Sequence, residues 1–470
     1  MGVPRQKKSS WRDYQTNLQR ARKCEARKKF FRRHTKVVLL FIAGSLAVYG
    51  LISGSFGSLF DDVKTEQAPG GVAESTGSHK VTAVVSYNKD QVHQIIDNRY
   101  FADLQDNFFE VRNNGRHLQV QTSIDPGLQN YLSQKLDRKN SSHIGIVAMD
   151  PNDGRILSLV GFNKADPSNN PCLDSSFPAA SIFKIVTAAA ALEKGNLRLD
   201  SKLRYNGRKY TLYKSQLKEK SNKYTHTVTL KEAFAKSVNP VFGKLGSLYL
   251  GKTQLETYAE AFGFNREINF EVFLSPSQTV ITDEPYQWAE IACGFNRQTR
   301  MSPIHGALIS ATIFNQGKLI EPTIIETIRD EKGTQLYQSR PAVVTQAFAP
   351  HTSAAMRELM KTTIRSGTVR RTFRKYRKDK VISRLEIGGK TGTINNKSDD
   401  IKYEWFVGYA RDKGGDSTII LSVLVAHQKY IGIRAPQYAI MAFKQYFKTQ
   451  FAKMPPLRPP TRVDEQVPMG

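Results

Sequence analysis

Hydrophobic positions fall into a few stretches along this chain, and their spacing predicts different elements. From Val37 to Phe60 there are 24 residues without a charge, opening Val-Val-Leu-Leu-Phe-Ile-Ala. About 20 apolar residues cross a bilayer, so 37–60 is expected to be a single transmembrane helix. Ile144–Met149 and Ile156–Val160 are apolar runs on either side of Pro151, Asn152, Asp153 and Gly154, which predicts a β-hairpin. From Ala179 to Leu192 most positions are apolar or small, with Pro178 just before and Gly195 just after. That pattern predicts one buried helix. Further helices are expected at 230–236, 255–264, 288–292 and 435–447. Strands are expected at 384–387, 404–410 and 418–426, with the first two bracketing a turn at Lys390.

Polar stretches divide the rest. Residues 61–80 are rich in Gly, Ser and Thr and read as a linker. Residues 81–117 alternate like a strand near 81–86 and like a helix near 91–108, so a small pedestal module is expected there. Residues 451–470 form a Pro-rich tail expected to be disordered. The main domain then spans 118–450. No internal repeat is evident.

Charge changes this picture at one end. Net charge is +27, and residues 1–36 hold 13 Lys/Arg against Asp13 and Glu25. A basic arm can mark a nucleic-acid tail. Here it abuts the apolar span, while Asp61 and Asp62 follow on the far side. Topology and anionic membrane lipids explain the arm, with 1–36 cytoplasmic and everything after residue 60 outside the cytoplasm. No nucleic-acid partner is expected. A cleaved signal peptide fits less well, because its basic region would be unusually long and no Ala-x-Ala site follows.

The candidate chemistry sits at the start of the buried helix, Ser181-Ile-Phe-Lys184. Residues three apart on a helix share a face, so the amine lies within reach of the hydroxyl. A buried Lys can lose its proton and act as a base toward that Ser. The same spacing recurs at Ser86/Lys89 and Ser215/Lys218, both in polar surroundings expected to be solvated. Cys172 and Cys293 admit a disulfide. His226 and His305 belong to no recognisable triad, and no His/Cys cluster has ligand spacing, so neither a metal nor a cofactor is expected.

Two further motifs follow in order: Ser237-Val-Asn239 and Lys390-Thr-Gly-Thr393, the latter unique in the chain. With Ser181-x-x-Lys184 they make the sequence resemble the monofunctional, class B-like penicillin-binding proteins, the acyl-serine D,D-transpeptidases of cell-wall synthesis. The resemblance covers roughly 118–450, beginning near Leu118–Gln129, whose Asp125-Pro-Gly-Leu-Gln129 end is similar to the family's Thr-x-Asp-x-x-Leu-Gln segment with Ser123 at the Thr position. It implies an α/β (α+β) fold with a central antiparallel sheet flanked by helices. It also implies a periplasmic or extracellular domain on a single-pass anchor, acting on peptidoglycan stem peptides and acylated by β-lactams. Membrane lipids would be a further partner.

Mapped by position, the resemblance makes Ser181 the nucleophile, Lys184 its base, and Ser237 and Lys390 further catalytic groups, with Ser237 relaying the proton. Asn239, Thr391, Gly392 and Thr393 would bind substrate, and the amides of Ser181 and Thr393 would form the oxyanion hole. Two positions depart from the common pattern: Ala180 stands where Gly usually precedes the nucleophile, and Val238 stands inside the second motif. The region ahead of Leu118 is too short for a glycosyltransferase domain, which admits a separate glycan polymerase as partner. Rival readings are a D,D-carboxypeptidase, a β-lactamase and a non-enzymatic β-lactam sensor. Motif spacings of 56 and 153 positions and the lack of a Glu-x-x-Leu-Asn segment weigh against the lactamase. One span and a 36-residue arm weigh against the sensor. The basic run from Arg370 to Lys380 is expected to be a solvated loop, or else a contact for anionic lipid or phosphate.

Overall fold

The computed structural model describes residues 86–453 apart from Asp416. The arm at 1–36, the span at 37–60, the linker at 61–80 and the tail beyond Lys453 lie outside the described residues. Among the described residues no helix is long and apolar enough to cross a membrane.

Five antiparallel strands form the central sheet, in the order Leu385–Asn395, Lys402–Asp412, Thr418–His427, Ser141–Met149, Ile156–Asn163. Both faces are covered, which is why the strands read as continuous apolar runs rather than alternating ones. Period-2 geometry still sorts their side chains. Trp405, Val407 and Tyr409 enter a core on one face, while Phe406 and Ala410 enter a second core on the other. Thr418–His427 is buried along its whole length.

The helix Pro303–Phe314 packs within the first core, where eleven of its twelve residues are buried. Ser302 caps it by accepting from the His305 amide (3.1 Å), and the chain turns away at Gly317, φ +85°. The opposite core holds Ala435–Lys453. That helix runs past the expected end at 447 and takes in the first three tail residues. Phe451 packs at a tilt against Phe447 (5.6 Å between ring centres) and lies under the Arg384 guanidinium, which extends the apolar stripe by one more turn.

The 81–117 region contributes the helix Lys89–Ile95, with Asn88 and Gln91 forming a capping box, and the strand Phe108–Asn113. That strand pairs with Arg116–Thr122, so the boundary expected at 117 falls inside a hairpin. Ile325–Asp330 and Gln335–Gln338 complete a four-stranded sheet. Val92, Ile96 and Val111 join the same core as the Ser181 segment. Lys89, expected to be solvated, instead pairs with Glu321 (2.9 Å) with only 9% of its side chain exposed.

Two local expectations, at Ser181 and at Lys390, are corrected, and the open pairing of the two cysteines is answered. The helix predicted from Ala179 begins at Lys184, after a 3-10 turn over Ala180–Phe183. Ala180 has φ +49°, and a left-handed residue cannot continue a right-handed α-helix. Lys390 lies not in a turn but midway along the unbroken strand Leu385–Asn395. Cys172 and Cys293 are both free buried thiols rather than a disulfide.

Candidate active site

The three motifs converge from separate elements. Ser181 lies on the 3-10 turn, one face of which rests on the edge strand. Trp405 donates its indole N–H to the Pro178 carbonyl (2.8 Å), and its cross-strand partner is Gly392. A Cβ at Gly392 would stand 3.2 Å from Ala180 Cβ and 3.3 Å from the Ala179 carbonyl. Gly392 therefore brings the strand against the Ala180–Phe183 turn that carries Ser181. Its close approach is to the protein's own backbone.

Lys184 is fully buried. Its Nζ is 2.8 Å from Ser181 Oγ, 2.8 Å from Asn239 Oδ1 and 2.5 Å from the Cys293 carbonyl. Phe242 lies beneath it, 5.6 Å to the ring centre. Burial lowers its pKa from 10.5 to about 8. At pH 7 about one molecule in ten then carries the free amine, against about one in three thousand for an unshifted lysine. The neutral amine donates to Asn239 Oδ1 and the Cys293 carbonyl and keeps its lone pair for the Ser181 hydroxyl proton. That is the arrangement of a base on a nucleophile.

Lys390 is fully buried as well. It donates to Ser237 Oγ (3.0 Å) and to the Thr391 carbonyl (2.8 Å). Burial first, and the charge of Lys184 second, hold its pKa well below the ordinary value. The depression of Lys184 comes from burial, with no contribution from Lys390. Ser237 has φ +54° and directly follows the helix Leu230–Ala235 and Lys236. Asn239 opens the helix Asn239–Lys244. Its amide is engaged at both ends, accepting from Lys184 and donating to the Tyr210 carbonyl (3.0 Å). Thr391 and Thr393, two apart on the strand, share a face.

These groups edge a cleft of about 470 Å³ lined by Ser181, Ser237, Asn239, Thr391 and Thr393. Residues 144–444, well over half of the chain, match the family described as penicillin binding protein transpeptidase domain. The chain belongs to this family. It is 25% identical over 377 residues to the peptidoglycan D,D-transpeptidase PbpA of Mycolicibacterium smegmatis, covering 72% of this chain and 73% of that protein. To stage V sporulation protein D of Bacillus subtilis it is 26% identical over 340 residues, 66% of this chain and half of that one. The solved D,D-transpeptidase domain of a peptidoglycan glycosyltransferase from Eggerthella lenta shares the fold. Its TM-score is 0.58 at 22% identity, covering 78% of this chain and 90% of that one.

Several groups around the cleft carried no signal in the sequence. The Cys293 carbonyl completes the Lys184 pocket. The next residue, Gly294, has φ +68° and faces the Ala180 carbonyl so closely that any side chain would collide with it. Thr368 shares a hydroxyl contact with Thr391 (2.7 Å). Glu404 lines the cleft as a buried carboxylate held by four donors: His427 Nε2 (3.2 Å), Arg434 Nε (2.9 Å) and Nη2 (2.5 Å), and the Ala435 amide (3.2 Å). Burial alone would raise its pKa; His427 and Arg434 outweigh that and lower it. A lone Glu before Trp405 offers no pattern from which such a cluster could be read. Among the described residues no group of His, Cys, Asp or Glu is arranged to hold a metal.

Proposed function

We propose that the chain is a membrane-anchored peptidoglycan D,D-transpeptidase that cross-links stem peptides through an acyl-serine intermediate on Ser181 and is acylated there by β-lactams. The observation that carries this reading is the 2.8 Å contact between Ser181 Oγ and the amine of a lysine that burial keeps partly neutral. Family membership and the name of the M. smegmatis relative support it.

In the first half-reaction Ser181 Oγ attacks the carbonyl of the penultimate D-Ala of a stem peptide while its proton passes to Lys184 Nζ. The amides of Ser181 and Thr393 take the developing oxyanion. Ser237 delivers a proton to the departing D-Ala amine as the C–N bond breaks, and Lys390, which donates to Ser237, recharges that route. The hydroxyls of Thr391 and Thr393 receive the terminal carboxylate. A second stem-peptide amine then attacks the ester, forming the cross-link and returning the proton to Ser181. Asn239 positions Lys184 and meets the substrate backbone once the Tyr210 carbonyl yields.

The environment of Glu404 favours transfer over rapid hydrolysis. It is the carboxylate among the cleft-lining residues, and its four donors and lowered pKa make it a poor base for water. The experiment is labelling of the full chain with a fluorescent penicillin, comparing wild type with Ser181→Ala. A covalent label that persists for minutes on wild type and is absent from the variant is expected. No label on wild type refutes the assignment, and release within seconds favours a lactamase.

A further inference from the structure

The basic run from Arg370 to Lys380 is unused by the reaction above, and it is not a plain solvated loop. Arg370–Arg374 forms a short helix with Phe373 buried under it. This helix is a wall between two hollows. Val369 and Thr372 face the catalytic cleft. Arg370, Phe373, Arg374 and Arg377 face a separate groove of about 460 Å³. The groove's remaining cations are Lys361, Arg365 and Lys413, and Glu386 is the carboxylate in its lining.

Those cations are not equally engaged. Lys361 pairs with Glu358 (3.2 Å) and Glu386 (3.4 Å), and Arg365 with Glu358 (3.5 Å). Lys413 donates to the Ser383 carbonyl (2.9 Å). Arg370, Arg374 and Arg377 recur at helical spacing on one face, and they make no ion pair with any described carboxylate. Three unpaired guanidiniums at one groove repel each other, and each offers a planar fork suited to phosphate oxygens. The floor beneath them is apolar, from Ile364 and Phe373, which leaves room for a carbon substituent.

We propose that this groove is a binding site for the phosphate of a phosphate ester, gripped by Arg370, Arg374 and Arg377. The site goes beyond the transpeptidase reading and does not depend on it. Its placement gives it a route to the cleft, because Thr368, at the start of the same segment, contacts Thr391. Gly367 fixes that start by packing on the Ala235 carbonyl, where any side chain would collide.

The test uses the full chain in nanodiscs of neutral phosphatidylcholine, titrated calorimetrically with inorganic phosphate and with glycerol 3-phosphate. Saturable binding is expected, at least about tenfold weaker in the triple variant R370Q/R374Q/R377Q and weakened by salt. The single variant R371Q, an exposed arginine outside the groove, should bind like wild type, as should Ser181→Ala. Repeating the titration with one-third phosphatidylglycerol in the disc identifies the source. Competition means that a lipid headgroup occupies the groove, and undiminished binding means a soluble ester. Tighter binding of glycerol 3-phosphate than of phosphate supports the apolar floor's part. No saturable binding of either probe, equal affinity in the triple variant, or equal loss in R371Q overturns the proposal. Because Ser181→Ala keeps the groove, failure of the acyl-serine reading would leave this result unchanged.

Discussion

The pH dependence of acylation tests the central physical claim, that burial makes Lys184 a base. A fall from 10.5 to about 8 corresponds to roughly 3 kcal/mol of differential solvation. The free-amine fraction is then about 1% at pH 6, about 9% at pH 7 and half at pH 8. The second-order rate of labelling by a fluorescent penicillin, followed by stopped flow at constant ionic strength, should climb about fiftyfold from pH 6 to 8 and level off by pH 9. Lys184 and Lys390 interact, so the midpoint belongs to the pair. Asn239→Ala sharpens the test. It removes an acceptor 2.8 Å from the ammonium, and a hydrogen bond to a charged group contributes about 1.5–3 kcal/mol. The midpoint should therefore drop by about 1–2 units, whatever happens to the amplitude. Damage that merely opened the site to water would move it the other way, toward 10.5. A wild-type rate still rising tenfold per unit beyond pH 9, or a midpoint raised in Asn239→Ala, would refute the reasoning.

Other substitutions probe the scaffold. Gly294→Ala places a methyl group against the Ala180 carbonyl at φ +68°; it should cost more than about 2 kcal/mol in thermal unfolding and abolish labelling. Ala180→Gly should relieve the left-handed strain at φ +49°, for a net gain of about 0.5–1 kcal/mol after the glycine's extra chain entropy, with labelling at least as fast; a lowered melting temperature would contradict this. Glu404→Gln leaves Arg434 and His427 without their carboxylate and should cost about 3 kcal/mol at pH 7. Since the folded pKa of Glu404 is lowered, its contribution is present above the unfolded value and lost as pH falls through the folded one. The gap between wild type and variant should thus narrow below about pH 4. Ser237→Ala removes the acceptor for Lys390 and should slow labelling by about 10²-fold or more while leaving melting within about 1 kcal/mol.

What the sequence revealed and what it hid follow from the range of the interactions. The central strands and the helix Lys184–Glu193 are legible because burial writes local apolar runs, as in Thr418–His427. Lys390 was misplaced into a turn because Gly388, Gly389 and Gly392 look like turn residues. In the structure they are small because Tyr409, Phe406 and the Ala179–Ile182 turn press against that strand. The helix Ala435–Lys453 was cut short because its last turn is held by Arg384, about seventy positions away. The 108–113 strand resisted assignment for the same reason, since its sheet is completed by residues beyond 325.

The same distinction explains why the motif serines need unusual backbone. The residue before Ser181 and Ser237 itself both have positive φ, at Ala180 and Ser237. Such conformations cost about 1–3 kcal/mol each and persist only where the surroundings over-determine them. Each is pinned by a close approach that only glycine permits. Gly294 and Gly392 clamp the turn around Ala180, and Gly367 packs on the Ala235 carbonyl two residues before Ser237. The functional groups are thus named by short motifs, while their placement is enforced by glycines 113 to 211 positions away from the serines they serve. Substituting one of those glycines should therefore damage acylation more than it damages melting, because the first property depends on a strained turn and the second on two large cores.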